Sequence, residues 1–281
     1  MRRALGRYFP IFALPTLLAF LISFAVPFVL GIYLSFTEFT TVSDASFVGI
    51  DNYVRAFTDN GDFLSALWFT VRFTVVSVIT VNVIAFALAY LLTGKLKGTN
   101  AFRTVFFMPN LIGGIVLGYI WQIIINGILG YFGVDITVSA SYGFFGLLVL
   151  MNWQMIGYMM IIYIAALQNV PQEMHEVAAI DGASRWQSLR HVILPLVMPA
   201  VTICTFLTLT NAFKLFDQNF ALTGGAPGKE SSMLALDIFR TFYGSVGNEG
   251  VGQAKAVLFF LIVALIALLQ MRLSARYEKD E

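Results

Sequence analysis

Long apolar runs separated by shorter polar stretches dominate the chain. Six runs stand out, at 10–36, 68–93, 104–125, 143–167, 196–222 and 254–272. About 20 apolar residues suffice to cross a bilayer as a helix. These runs are apolar all round rather than on one face, and in lipid the backbone must satisfy its own hydrogen bonds, which forces helical closure. The pattern predicts an all-α, polytopic membrane helical bundle of six transmembrane helices. Residues 1–67 hold an N-terminal tail, the first span and a loop, and 68–275 form the core transmembrane domain with a polar loop at 168–195. Residues 276–281 are a short tail.

The first run begins at the end of "MRRALGRYFP". Its length exceeds the roughly 7–15 apolar residues of a signal peptide, and no small-residue cleavage site follows, so it reads as a first span. Two further loops are substantial. Residues 37–67 carry enough Phe, Tyr and Val to fold against the membrane surface. Residues 223–253 open with turn residues and continue in a helical pattern at Met233, Leu234, Ile238 and Phe242.

Composition agrees with a bilayer. Hydrophobic residues make up 58% of the 281 and charged residues 12%, against about 25% charged in soluble domains. A net charge of +1 argues against a nucleic-acid partner. The single Cys204 excludes a disulfide framework or a cysteine metal site.

Charge distribution says more than charge total. With the N-terminus inside, the inner segments carry Arg2, Arg3, Arg7, Lys95, Lys97, Arg103, Arg185, Arg190, Arg272, Arg276 and Lys279. The outer segments carry only Arg55, Lys229, Arg240 and Lys255. Basic residues favour the cytoplasmic side, so both termini and the 168–195 loop are expected in the cytoplasm.

That loop contains "EVAAIDGASRWQSLRHVILP" at 176–195. Pro171 opens a short helix, Gly182 suits a bend, and Ser184 can cap a second helix. Trp186, Leu189 and Ile193 then fall on one face, and Pro195 marks the return to the next span. Ala178, Ala179 and Gly182 leave little bulk at the bend. Two readings fit: a knob that docks another protein, or an interfacial hairpin anchored to headgroups by Trp186 and its arginines.

The same stretch resembles the EAA loop of binding-protein-dependent ABC importer permeases, whose pattern is Glu-Ala-Ala, three residues, Gly, nine residues, Ile, one residue, Leu-Pro. Glu176, Ala178, Gly182, Leu194 and Pro195 match, while Val177 and Val192 depart mildly. "FVGIDNYVRAF" (47–57), "FRTVFFMPNLI" (102–112) and "NAFKLFDQNFALTGGAPGKES" (211–231) also resemble landmarks of the family's carbohydrate branch, in the expected order. That branch includes permeases for maltose, related oligosaccharides and glycerol phosphate.

The resemblance implies an ABC type I importer permease fold in a bacterial or archaeal cytoplasmic (inner) membrane. It implies a second permease subunit, in heterodimer by family habit, with two ABC ATPase subunits and an extracytoplasmic solute-binding protein. Glu176, Ala178, Ala179, Asp181, Gly182, Leu194 and Pro195 would form the ATPase-coupling element. The chain itself would bind no cofactor, and ATP and Mg would be used by the ATPase partners. The solute would be a carbohydrate, in the first instance an oligosaccharide.

Charged and amide side chains within spans are the candidates for a solute path. Lys214 and Asp217 lie three apart in the fifth predicted span, where they can pair or line the path. Asn152, Trp153, Tyr158, Asn211 and Phe213 join them, since planar amides suit hydroxyls and aromatic faces suit sugar rings. Asn82, Asn110, Gln122 and Gln154 are further amides for which inter-helix bonding is the alternative. Arg72 is expected to snorkel to the outer interface. "GIVLG" at 114–118 permits close helix packing.

No catalytic or metal-ligating set is legible. "GGAPGKES" has Thr223 and Glu230 where a phosphate loop needs Gly and Ser or Thr. There is no H-E-x-x-H, and the only histidines, His175 and His191, lie in the 168–195 loop. A secondary transporter or channel for a small polar solute is the alternative class, but neither a midplane charge nor a repeated half is evident.

Overall fold

The computed structural model describes residues 13–58, 62–94, 98–244 and 246–277. The helices are α1 (Ala13–Leu34), α2 (Asp51–Thr58), α3 (Asp62–Leu92), α4 (Thr99–Phe107), α5 (Gly114–Leu129) and α6 (Ala140–Gln168). They continue as α7 (Gln172–Ile180), α8 (Arg185–Leu196), α9 (Met198–Phe213), α10 (Asp217–Leu222), α11 (Leu234–Gly244) and α12 (Glu249–Tyr277). A small antiparallel ribbon, β1 (Thr37–Glu38) with β2 (Ser46–Phe47), sets Thr37 opposite Phe47. Several inner-segment basic residues, Arg2, Arg3, Arg7, Lys95, Lys97 and Lys279, lie outside the described residues, as do residues 10–12 of the first predicted span.

Among the described residues, five stretches are long and apolar enough to cross a membrane: α1, α3, α5 with its terminal turn, α6 and the first 24 residues of α12. The bent pair α8–α9 makes a sixth. Two of the six expected spans are not continuous. The one expected at 104–125 is interrupted: α4 passes into a 3₁₀ turn at Met108–Leu111, and Ile112 and Gly113 adopt extended backbone before α5 begins. The one expected at 196–222 ends as a helix at Phe213 and restarts at Asp217. Hydropathy registers apolar content, which continues through both breaks.

The chain divides into two compact units, residues to Phe63 with Ile238–Ile262, and Leu64–Asp237 with the residues from Val263 onward. In the first, α1 and α12 approach closely: a β-carbon on Gly31 would lie 2.6 Å from the Gln253 amide, and Phe28 meets Phe260 edge-on at 4.8 Å. Buried Asn52 donates to the carbonyls of Ser35 and Thr37 at 3.1 and 2.8 Å, tying α2 to the end of α1. In the turn between the two strands, Asp44 accepts from the Thr40 hydroxyl and from the Thr40 and Thr41 amides. The Thr40 hydroxyl first, then the Thr41 amide, hold this exposed carboxyl down at about 2.

The second unit is built around α6. Over half of its apolar window is buried, against 28% or less in the other long helices. Leu147, Leu150, Met151, Met159 and Met160 pack there with Phe73, Val81 and Cys204. Polar pairs fix the neighbours, as expected where lipid supplies no competing hydrogen bonds. The Tyr163 hydroxyl donates to Asn82 at 2.7 Å, and Asn82 donates to Thr208 at 3.3 Å, which joins α6, α3 and α9. Gly157 lets the backbone of α4 reach α6, since a β-carbon there would collide with the carbonyl of Phe106.

Candidate functional site

The 168–195 loop folds as two short helices. α7 ends in a paired cap: the Gly182 amide donates to the Ala179 carbonyl at 3.1 Å and the Ala183 amide to the Ala178 carbonyl at 2.9 Å. That geometry needs a residue of positive φ, and Gly182 stands at +72°. α8 starts on a capping box: the Ser184 hydroxyl accepts from the Gln187 amide, and the Gln187 side chain accepts from the Ser184 amide. Sequence reasoning found Ser184 but missed its reciprocal partner Gln187, which the S-x-x-Q spacing could have signalled.

Two details differ from expectation. Trp186, Leu189 and Ile193 do not share one environment: Trp186 is 67% exposed and Ile193 is buried. A π-helical turn at Leu189–Ile193 changes the angular step between them, so spacing computed for an α-helix fails. The chain also turns at Val197 rather than at Pro195, with α8 and α9 bent by 72°. Pro195 is the second residue of the short α segment Leu194–Leu196 that follows the π turn, a first-turn position where its missing N–H is tolerated.

The loop presents Glu176, Ala179, Asp181 and Gly182 to solvent, with Ala178 buried beneath them. Glu176 accepts from Gln172 at 3.1 Å, one turn back on α7. Val177 and Ile180 are 54% and 85% exposed and lie on the same outward face. Ile180 was not among the candidates, although an apolar residue beside "DG" in a polar loop was a readable signal. Leu194 is half-buried and Pro195 exposed. A cavity of about 780 Å³ separates the loop from the helix ends, bounded by Tyr90, Gln168, Ala179, Arg185, Trp186 and Leu189.

A second feature forms where the two helix breaks meet. Asn110, Gln154, Asn211, Lys214, Asp217 and Gln218 line a cleft of about 520 Å³. Gln218 donates to Gln154 at 2.8 Å, and Asn211 donates to the Leu207 carbonyl one turn back. The GIVLG segment holds the cleft's wall. A β-carbon on Gly114 would lie 2.7 Å from that of Asp217, and one on Gly118 would lie 2.5 Å from that of Ala221. The start of α5 therefore packs closely against the start of α10 at Asp217 and Gln218.

Lys214 and Asp217 do reach one place, but not as a pair on one helical face. The helix ends at Phe213, just before Lys214, and the next begins at Asp217; both side chains are exposed, and among the described residues no ion pair joins them. Other candidates lie elsewhere. Asn152 donates to Thr80 at 3.0 Å and to the Leu148 carbonyl, so it bonds α3. Trp153 stands edge-on to Trp121 at 5.6 Å, and Tyr158 lies beside Phe107 at 6.5 Å. Phe213 is buried. On α6 the cleft takes Met151, Gln154 and Met155, which share a face that Asn152 and Trp153 do not. Gln218 was not among the candidates, although an amide next to Asp217 in the same predicted span was a readable signal.

The family described as "Binding-protein-dependent transport system inner membrane component" matches residues 94–279. The probable starch degradation products transport system permease protein AmyD of Thermoanaerobacterium thermosulfurigenes is 41% identical over 284 residues, spanning 98% of this chain and 96% of that protein. The multiple sugar-binding transport system permease protein MsmF of Streptococcus mutans serotype c is 30% identical over 289 residues, spanning 99% of each. Among solved structures, a chain of a bacterial ABC transporter involved in the import of the acidic polysaccharide alginate superposes with a TM-score of 0.81 at 19% identity, spanning 98% of both chains. At that identity the likeness is one of fold.

Proposed function

The chain belongs to the family of inner-membrane components of binding-protein-dependent transport systems, as a permease subunit of an ABC importer whose ATPase lies in partner subunits, and from that premise we propose that it carries a carbohydrate, in the first instance an oligosaccharide. The amide-lined cleft at the two helix breaks is the observation that carries this reading. Asn110, Gln154, Asn211 and Gln218 line it with amide groups, each of which carries both donors and an acceptor and so suits hydroxyl groups. Helix breaks within membrane spans free backbone groups where a polar solute passes. The curated relatives named for starch products and multiple sugars cover nearly the whole chain and favour the same solute class.

The 168–195 loop is the proposed contact with the ATPase subunits. Glu176 and Asp181 would meet polar or basic groups of a receiving cleft, and the exposed Val177 and Ile180 would be covered there. ATP with Mg would bind the ATPases and not this chain. The test is reconstitution of the full importer in liposomes, with the binding protein outside and ATP inside. Uptake of labelled malto-oligosaccharide that requires ATP and falls with Glu176→Lys is expected. Uptake of sugar by this chain without ATPases would instead make it a secondary transporter.

A further inference from the structure

A groove of about 560 Å³ runs between the Trp68–Val76 stretch of α3 and the first turns of α6, bounded by Trp68, Phe69, Arg72, Ser141, Phe144 and Phe145. Its rim is apolar and exposed: Trp68 is 60% exposed, Val75 54% and Phe145 61%. Arg72 is the one charged residue on its wall, and no acidic side chain lines it among the described residues. The Arg72 guanidinium lies 5.6 Å from the centre of the Trp68 ring. Among the described residues it has no carboxylate partner.

Depth along α3 tells what such a cation faces. From Leu92, the C-terminal end of α3, which the basic-residue distribution assigns to the inner side, to Arg72 is roughly 30 Å at about 1.5 Å per residue. A hydrocarbon core is about 30 Å thick. Arg72 therefore stands where hydrocarbon gives way to phosphate, on the face at which α3 begins.

We propose that this groove binds an anionic phospholipid, with the headgroup phosphate on Arg72 and an acyl chain along Phe69, Phe144 and Phe145. Guanidinium and phosphate match in geometry and charge, and Trp68 flanks the guanidinium as interfacial tryptophans do. The Ser141 hydroxyl offers a second donor toward the headgroup. A protein partner fits less well, because it would have to bring an acid into an apolar surface or leave the arginine unpaired. The lipid site is independent of the solute assignment.

The test uses the assembled importer, delipidated in detergent and titrated with phosphatidylglycerol or with phosphatidylcholine of the same acyl chains. Bound lipid is counted by native mass spectrometry. One phosphatidylglycerol per copy of this chain should bind in preference to phosphatidylcholine. Arg72→Gln should weaken its retention roughly tenfold, the effect of one charge-assisted contact, and Arg72→Lys should restore part of it. Equal retention of phosphatidylglycerol by wild type and Arg72→Gln overturns the site. So does loss of the second permease subunit from that variant with lipid binding unchanged, which would make the groove a protein interface. Should Arg72→Gln fail to assemble, the wild-type titration decides alone, and equal binding of the two lipids overturns the proposal.

Discussion

The side chain of Gln218 donates to that of Gln154 at 2.8 Å, joining the restart of one broken span to the most buried of the long apolar helices. Gln154 also points its amide toward the carbonyl of Ile112 at 3.5 Å, in the other break. One side chain thus touches both interruptions. Gln154→Leu keeps the volume but removes both contacts. A neutral hydrogen bond contributes about 1 kcal/mol, so a change of roughly fivefold in the solute concentration that half-saturates uptake is expected. Uptake kinetics in reconstituted liposomes read this directly. Unchanged kinetics would show that the cleft amides do not face the solute.

Gly157 is set by the backbone of another helix. A β-carbon there would collide with the Phe106 carbonyl, and that atom cannot move without shifting α4. Overpacking a core costs about 1–3 kcal/mol where side chains can yield, and the upper end or beyond is expected here. Gly157→Ala should lower the thermal unfolding midpoint of the purified chain and its yield in the membrane. Gly127, where an added β-carbon meets nothing within 4 Å, is the control position.

The spans were legible because lipid imposes one rule on all of them, and a count of apolar residues captures it. The breaks obey a different rule. No Gly or Pro marks Lys214–Phe216, and the apolar content runs on through Leu215 and Phe216, so nothing local announces that α9 stops. At the other break Pro109, Gly113 and Gly114 were visible punctuation inside an apolar run. Their meaning came only from tertiary packing, since Gly114 and Gly118 make room for α10. The loop was more readable. Ser184 and Gly182 act through bonds to near neighbours in sequence, and such signals survive without knowledge of the fold. Asn152 and Trp153 show the reverse, because which face of α6 meets the cleft depends on neighbours about 150–230 Å away along the extended chain.

The capping box at Ser184 yields a prediction about the loop alone. Ser184→Ala removes the acceptor for the Gln187 amide, and loss of an N-cap costs about 1 kcal/mol. Amide hydrogen exchange across Arg185–Ser188 should quicken by roughly fivefold, while exchange in the buried part of α6 stays as it was. Equal acceleration in both would mean that the loop and the core open together.

Gly182 separates two reasons for a glycine. Its φ of +72° disfavours most side chains, by roughly 1–2 kcal/mol. Yet a β-carbon there would meet nothing within 4 Å in this chain. Asn adopts that conformation more readily than other residues, so Gly182→Asn should insert, fold and assemble. Gly182→Val adds conformational strain to the same bulk. If the ATPase cleft closes on the bend, Gly182→Asn should uncouple the importer, with ATP hydrolysis no longer stimulated by the loaded binding protein and uptake reduced. If backbone conformation is the only demand, Gly182→Asn should transport as wild type and only Gly182→Val should fail. Measuring stimulated ATPase and uptake for both variants in one reconstitution distinguishes a docking surface from a local turn.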